Sequence, residues 1–254
     1  MSGQHSLLEL RGLRKSFGGS CILDHLDLNL PLTGTRVIIG PNGAGKSTLF
    51  RLIAGTLRCD EGLIYFDGRE IGALPAYKRQ RLGIAQSFQT PKLAKGLTVS
   101  EHIELSCYAG RRLWRTFLPS NIETDRLEFI NTTIATIGLN AELSMLVESL
   151  SHADKKKLDL CCALLQSPKL LLLDEPTAGL SALDVPEIVQ LVRRLESHLS
   201  VLIIEHDLSF VRALGSDVVV LHQGRIIRED NIERLESDIL LKEIYFGRSA
   251  RFGT

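Results

Sequence analysis

The amino-acid sequence predicts an α/β fold built on a phosphate-binding loop, with an antiparallel β edge sheet and an inserted α-helical subdomain. Three observations carry this prediction. In Gly40-Pro41-Asn42-Gly43-Ala44-Gly45-Lys46-Ser47-Thr48, four residues separate two glycines, and Lys and Ser follow. Leu170–Leu173 and Val201–Ile204 are short, wholly apolar runs of the kind buried inside a parallel sheet. Between them and the loop, Thr98–Leu146 changes to a helical periodicity.

Taken in order, Leu7–Arg11 and Leu26–Leu30 alternate apolar and polar residues, as strands of an antiparallel sheet do. Ser16-Phe17-Gly18-Gly19 is the turn between them, and Pro31–Gly34 a second turn. Arg36–Ile39 is the β-branched strand before the loop, and Thr48–Ala54 the amphipathic helix after it. That order gives the loop its chemistry. A Gly-rich turn lets backbone N–H groups point at phosphate oxygens, and the helix start adds free donors and a positive dipole end. Lys46 is positioned for the β- and γ-phosphates and Ser47 for Mg²⁺. Gly62–Phe66 is a strand ending in an Asp-Gly turn, and Leu82–Phe88 a further buried strand.

In the helical stretch, Gly110 and Leu118-Pro119-Ser120-Asn121 are breaks. One helix face is Val99, His102, Ile103, Leu105 and Ser106; another is Leu127, Ile130, Ile134 and Ile137. Trp114 among Arg111, Arg112 and Arg115 reads as a solvated basic turn or an interaction surface. Strand and helix then alternate again: Pro186–Ser197 and Phe210–Leu214 as helices, Asp217–Leu221 as a strand, Gln223-Gly224-Arg225 as a hairpin turn. The chain reads as one domain, residues 1–254. Its core is 1–90 and 149–254, and the helical subdomain 91–148.

Composition excludes several classes. With 44% hydrophobic and 24% charged residues the chain is an ordinary globular protein. Its 30 basic residues balance 30 acidic ones, which argues against a nucleic-acid partner. Met1–Leu10 lacks the pattern of a secretory signal, and no apolar run reaches the roughly 18 residues of a membrane span. Five cysteines without a CxxC spacing give no disulfide framework or zinc site, which suits a reducing cytoplasm.

The strand Leu170–Leu173 ends in Asp174-Glu175-Pro176. A phosphate-loop protein needs a carboxylate there to orient Mg²⁺, and Asp174 fits; Glu175, one residue on, is the candidate general base. With these motifs the chain resembles the ATP-binding-cassette ATPases, the motor subunits of ABC transporters, over nearly its whole length. The resemblance implies a RecA-like core with ATP and Mg²⁺ as cofactors. It makes Gln89, in Ser87-Phe88-Gln89-Thr90-Pro91, a glutamine that senses Mg²⁺ and water and links to the membrane subunit. Ser181-Ala182-Leu183-Asp184 becomes a loop at the dimer interface, His206 a contact of the γ-phosphate, and Phe17 the ring stacked on adenine. The wording around Gln89 and His206, with Ile244-Tyr245-Phe246-Gly247, is similar to importer ATPases for branched-chain amino acids, in particular their urea and short-chain amide branch.

One segment departs from the family pattern. Where the family has Leu-Ser-Gly-Gly-Gln, with His at the third position in its urea-type branch, this chain has Leu150-Ser151-His152-Ala153-Asp154, so the departures are Ala153 and Asp154. The resemblance places Ser151 over the partner subunit's ATP. Asp154 brings a negative charge towards that anion, worth about 2 kcal/mol of repulsion at about 8 Å and an effective dielectric of about 20. The same residues also read as a capping box, with Ser151 at the cap and Asp154 three residues on. The resemblance implies a second ATPase subunit, with a heterodimer favoured, permease subunits in the membrane and indirectly a solute-binding protein. The expected place is cytoplasmic, peripheral on the inner face of the cell membrane. A soluble ABC ATPase outside transport and an ATP-binding dimerisation switch are the alternatives.

Overall fold

A computed structural model describes residues 6–109, 122–181 and 183–236. The Trp114 cluster, the breaks at Gly110 and residues 118–121, Ala182 and the 244–247 segment lie outside them.

Two sheets are stacked around α1 (Lys46–Ala54). The first is antiparallel, in the order β2-β1-β4-β5, formed by β1 (Ser6–Phe17), β2 (Ser20–Pro31), β4 (Glu61–Phe66) and the short β5 (Arg69–Glu70). The second has the order β10-β9-β3-β8-β7-β6. Its members are β3 (Gly34–Ile39), β6 (Ile84–Ser87), β7 (Leu170–Asp174), β8 (Ser200–Ile204), β9 (Asp217–His222) and β10 (Arg225–Asn231). All its pairings are parallel except that of β10 with β9. The alternating expectation for β1 and β2 and the continuous apolar expectation for β7 and β8 follow this difference. An edge sheet covers one face, whereas inner parallel strands are buried on both.

Successive side chains along a strand point to opposite faces. Ile38, Leu170, Leu172, Leu202, Ile204, Val219 and Leu221 therefore meet the edge sheet and α1 (Lys46–Ala54) in one core. Val37, Ile39, Leu171, Leu173, Val201, Ile203, Val218 and Val220 face a second core. There they meet α3 (Val99–Ala109), α4 (Ile122–Ile137), α5 (His152–Leu164), α6 (Val185–Leu195) and α7 (Leu208–Leu214). Cys161 is wholly buried in that second core, and Cys162 packs against it.

A helix not anticipated, α2 (Ala76–Leu82), precedes β6, so the strand expected over Leu82–Phe88 is shorter and begins at Ile84. Its buried residue is Arg79, whose guanidinium donates to the carbonyls of Leu52 (2.5 Å), Ile53 (3.0 Å), Gly72 (2.9 Å) and Leu74 (2.9 Å). A cation thus caps the negative end of α1. Burial pushes the Arg79 guanidinium down to about 10. The helix faces expected on α3 and α4 are narrower than the apolar residues suggested. Val99, His102 and Ile103 are buried, but Leu105 is exposed, because it sits off the i, i+3, i+4, i+7 stripe. On α4, Ile130 and Ile137 are buried and Ile134 packs against them, while Leu127 is exposed; only the later turns of the stripe meet the core.

Candidate functional site

The loop between β3 and α1 is shaped by its glycines. A Cβ on Gly40 would fall 2.2 Å from the Leu221 carbonyl oxygen, so β9 packs directly against the loop's first residue. Gly45 is the N-cap of α1 at φ 106, and a Cβ there would lie 2.7 Å from Leu23 Cδ2. No side chain caps α1, and its first turn carries no acidic residue. Asn42, Gly43 and Ser47 are exposed, and Thr48 is half-buried. Lys46 Nζ donates to the carbonyls of Gly40 (2.5 Å) and Pro41 (3.1 Å). Burial lowers the Lys46 ammonium, and the Glu175 and Asp174 carboxylates oppose that shift. A buried cation satisfied by carbonyls of its own loop, beside an uncapped helix start, is an arrangement suited to an anion.

Three of the sequence candidates converge at the ends of β6, β7 and β8. Glu175 Oε2 accepts a hydrogen bond from Gln89 Nε2. His206 Nδ1 lies 3.6 Å from Glu175 Oε1 and 3.7 Å from Glu205 Oε2. Asp174 ends β7, one residue earlier, and burial raises its carboxyl, with the Glu175 charge adding to the shift. The carbonyl ends of parallel strands are where a topology of this kind places ligands.

Glu205 is a residue the sequence reading passed over. It is fully buried and accepts from Thr177 N (3.1 Å), Thr177 Oγ1 (2.5 Å), His206 N (2.8 Å) and Asp207 N (3.2 Å). It therefore ties the loop after β7 to the loop after β8, which carry Glu175 and His206. An acid directly after an apolar strand and before His was the available signal.

Phe17 and Ser151 keep other company. Phe17 is half-exposed at the end of β1, with Lys15 Nζ 5.3 Å from its ring centroid. Ser151 is the N-cap of α5: its Oγ accepts from Asp154 N at 3.0 Å and donates to Asp154 Oδ2 at 2.7 Å. Of the capping-box reading, the structure forms the Ser151 N-cap, with the Asp154 carboxylate accepting from the Ser151 hydroxyl. In the loop expected at a dimer interface, Ser181 donates to Asp184 Oδ2 and Leu183 is 87% exposed.

Among the described residues no group of three or more His, Cys, Asp or Glu could hold a metal by itself. The hydroxyl of Ser47, the carboxylate of Asp174 and the amide oxygen of Gln89 nevertheless fit Mg²⁺, a hard cation that takes one or two protein carboxylates and completes its shell with phosphate oxygens. Among the described residues no helix is long and apolar enough to cross a membrane.

The sequence matches the ABC transporter family over residues 23–178. The chain belongs to that family. Its ATP-binding cassette is an ATPase that works with ATP and Mg²⁺. BraF of Pseudomonas aeruginosa, a high-affinity branched-chain amino acid transport ATP-binding protein, is 29% identical over 253 residues, covering 96% of this chain and 98% of that protein. Among solved structures, an ATP-binding cassette of an ABC transporter in its ADP conformation superposes with a TM-score of 0.80 at 30% identity, covering 96% and 99% of the two chains. A dimeric post-hydrolysis cassette bound to ADP and Pi superposes with a TM-score of 0.74 at 25% identity, covering 89% and 98%.

Proposed function

We propose that this chain is the ATP-hydrolysing subunit of an importer for a small polar solute of the branched-chain amino acid or urea and amide class. The observation that carries the hydrolytic reading is the meeting of Gln89, Glu175 and His206 beside the Lys46 loop. In this reading the backbone N–H groups of residues 40–48 cradle the phosphates, and Lys46 leaves its carbonyls for the β- and γ-phosphate oxygens. Ser47, Asp174 and Gln89 hold Mg²⁺, which supplies charge neutralisation on those oxygens when bound. Glu175 takes the proton of the attacking water, and His206 donates to the γ-phosphate. Phe17 carries the adenine.

The branched-chain amino acid part of that class rests on the similarity to BraF, and the urea and amide part on the sequence resemblance alone. The partners follow from the same reading: permease subunits in the membrane, a solute-binding protein and a second cassette, with this chain peripheral on the cytoplasmic face. The dimeric relative supports pairing of cassettes. We favour a heterodimer. Every group facing this chain's own nucleotide is intact, whereas Ser151, which faces the partner's, is engaged by Asp154. A two-fold homodimer would use that weakened segment at both sites.

Glu175→Gln tests the reading. It is expected to leave ATP binding intact and to slow hydrolysis about 10²- to 10⁴-fold, the usual worth of general acid–base catalysis. Turnover near that of the parent chain removes Glu175 from the role. Uptake of labelled leucine against labelled urea by cells carrying or lacking the gene tests the solute class, and uptake of neither overturns it.

A further inference from the structure

Two buried charges on α5 have no part in the chemistry above, yet they hold the segments that perform it. Lys156 Nζ donates to the carbonyls of Glu175 (3.3 Å), Pro176 (3.2 Å) and Ala178. Asp159 Oδ2 accepts from Ser87 Oγ (2.6 Å) and from the Phe88 N–H (3.0 Å). The first set fixes the loop after β7; the second fixes the end of β6, directly before Gln89. Lys156 and Asp159 stand three residues apart on one helix, so they share a face. The two segments they anchor meet where Gln89 Nε2 donates to Glu175 Oε2.

The backbone of Glu175 needs such an anchor. Its φ is 48, in the left-handed region that non-glycine residues seldom adopt. A conformation of that kind persists only where its surroundings over-determine it. Here both peptide groups of the residue are held: the Glu175 N–H donates to the Ile204 carbonyl at 2.9 Å, and the Glu175 carbonyl accepts from the Ala178 N–H at 3.1 Å and from Lys156 Nζ at 3.3 Å. Desolvation lowers the Lys156 ammonium, against the pull of Glu205, Glu175 and Asp159, and burial raises the Asp159 carboxyl. Burying two charges is costly, and an apolar pair of similar volume is often no less stable, so stability alone does not account for them. One turn before Lys156, His152 lies against the same loop: a Cβ on Gly179 would fall 2.9 Å from His152 Nε2.

We propose that Lys156 and Asp159 are positioning residues for ATP hydrolysis, together setting the Glu175 and Gln89 segments so that the two side chains meet. The proposal rests on Glu175 being the base. It also makes α5 a mechanical link. The helix whose first residues the proposed function turns towards a neighbouring subunit grips this chain's own Glu175 loop one turn later and the end of β6 two turns later.

The test is steady-state hydrolysis by the full chain, purified with the subunits that accompany it. Lys156→Met is expected to lower kcat about 10- to 100-fold, the scale of a misplacement of about 1 Å, with KM for ATP changed less than about threefold. Lys156→Arg is expected to recover most of the loss, since a guanidinium also donates to carbonyls. In a Glu175→Gln background Lys156→Met is expected to add nothing, because its effect passes through the carboxylate that is gone. Asp159→Ala runs the same cycle against Gln89→Ala. A kcat within about twofold of the parent in Lys156→Met, or a full additive loss on the Glu175→Gln background, overturns the proposal. If Lys156→Met does not fold, Lys156→Gln, which keeps an N–H donor, replaces it under the same criteria. Glu175→Gln alone separates the two levels. Its failure to slow hydrolysis rejects the base, whereas slow Glu175→Gln with unaffected Lys156→Met rejects only the positioning pair.

Discussion

Two helix starts in this protein solve the same electrostatic problem in opposite ways. The first turn of any α-helix leaves N–H donors without partners and a partial positive charge. At α1 the cap is Gly45, no side chain accepts from the turn, and the only charge in it is Lys46. At α5 the cap is Ser151, which accepts from Asp154 N, and Asp154 supplies a carboxylate within the first turn. One start is left for an anion from outside; the other carries its own. Of the two, the start that lacks a capping side chain is the one at the phosphate loop.

The predictions sharpen or break this contrast. The largest effect is expected at the open start. Lys46→Ala removes the one side-chain cation of the loop and should weaken ATP binding about 10- to 100-fold, the worth of a hydrogen bond to a charged group. Equilibrium binding of a fluorescent ATP analogue checks this, and an unchanged Kd would mean that the uncapped start holds the anion alone. At the closed start, Ser151→Ala should cost about 1 kcal/mol of folding stability, the value of a lost N-cap, read from denaturant unfolding. No loss would mean that the Ser151–Asp154 pair does not cap α5.

The smallest effect concerns Asp159, further along α5. Burial raises its carboxyl above 3.8, against hydrogen bonds from Ser87, Phe88 and Lys92 and the Lys156 charge. The folded state thus holds this proton more tightly than the unfolded chain. The stability it contributes is full below pH 3.8 and is lost as pH rises through the folded value. Asp159→Asn keeps an acceptor but cannot ionise. Its Tm relative to the parent should therefore rise between pH 4.5 and pH 7.5. A flat or falling difference would show that Asp159 is ionised at no net cost.

Much of the molecule was legible in its sequence, for reasons that show at particular residues. The β1 and β2 alternation and the apolar β7 and β8 runs report burial on one face or on two, which a period of two encodes directly. The loop, Asp174 and Glu175 were legible because they lie at strand ends, where the chain order of strand, polar residue and turn is visible; Gln89 and His206 were legible only through the family resemblance. α2 was not: its inward residue is Arg79, a charge, so no apolar stripe marks it. Leu105 and Leu127 misled in the opposite sense, being apolar yet exposed. Lys156, Asp159 and Glu205 were passed over because a buried charge looks like a solvated one until its partners are seen, and those partners, backbone groups and hydroxyls, include residues distant in sequence.

The central claim is that the α5 start is satisfied from within and so grips a neighbour's nucleotide weakly, while the α1 site of the same chain is complete. Ala153→Gly with Asp154→Gln removes the internal carboxylate and restores the family pattern. The decisive measurement is ATP hydrolysis and ATP-driven association of this double variant beside the parent, each assembled with its natural partners. The account predicts tighter association and faster turnover at the partner's nucleotide, with the Kd of this chain's own site unchanged. Brisk hydrolysis by the parent chain as a homodimer, with no gain in the double variant, would contradict it and leave Asp154 as a helix cap alone.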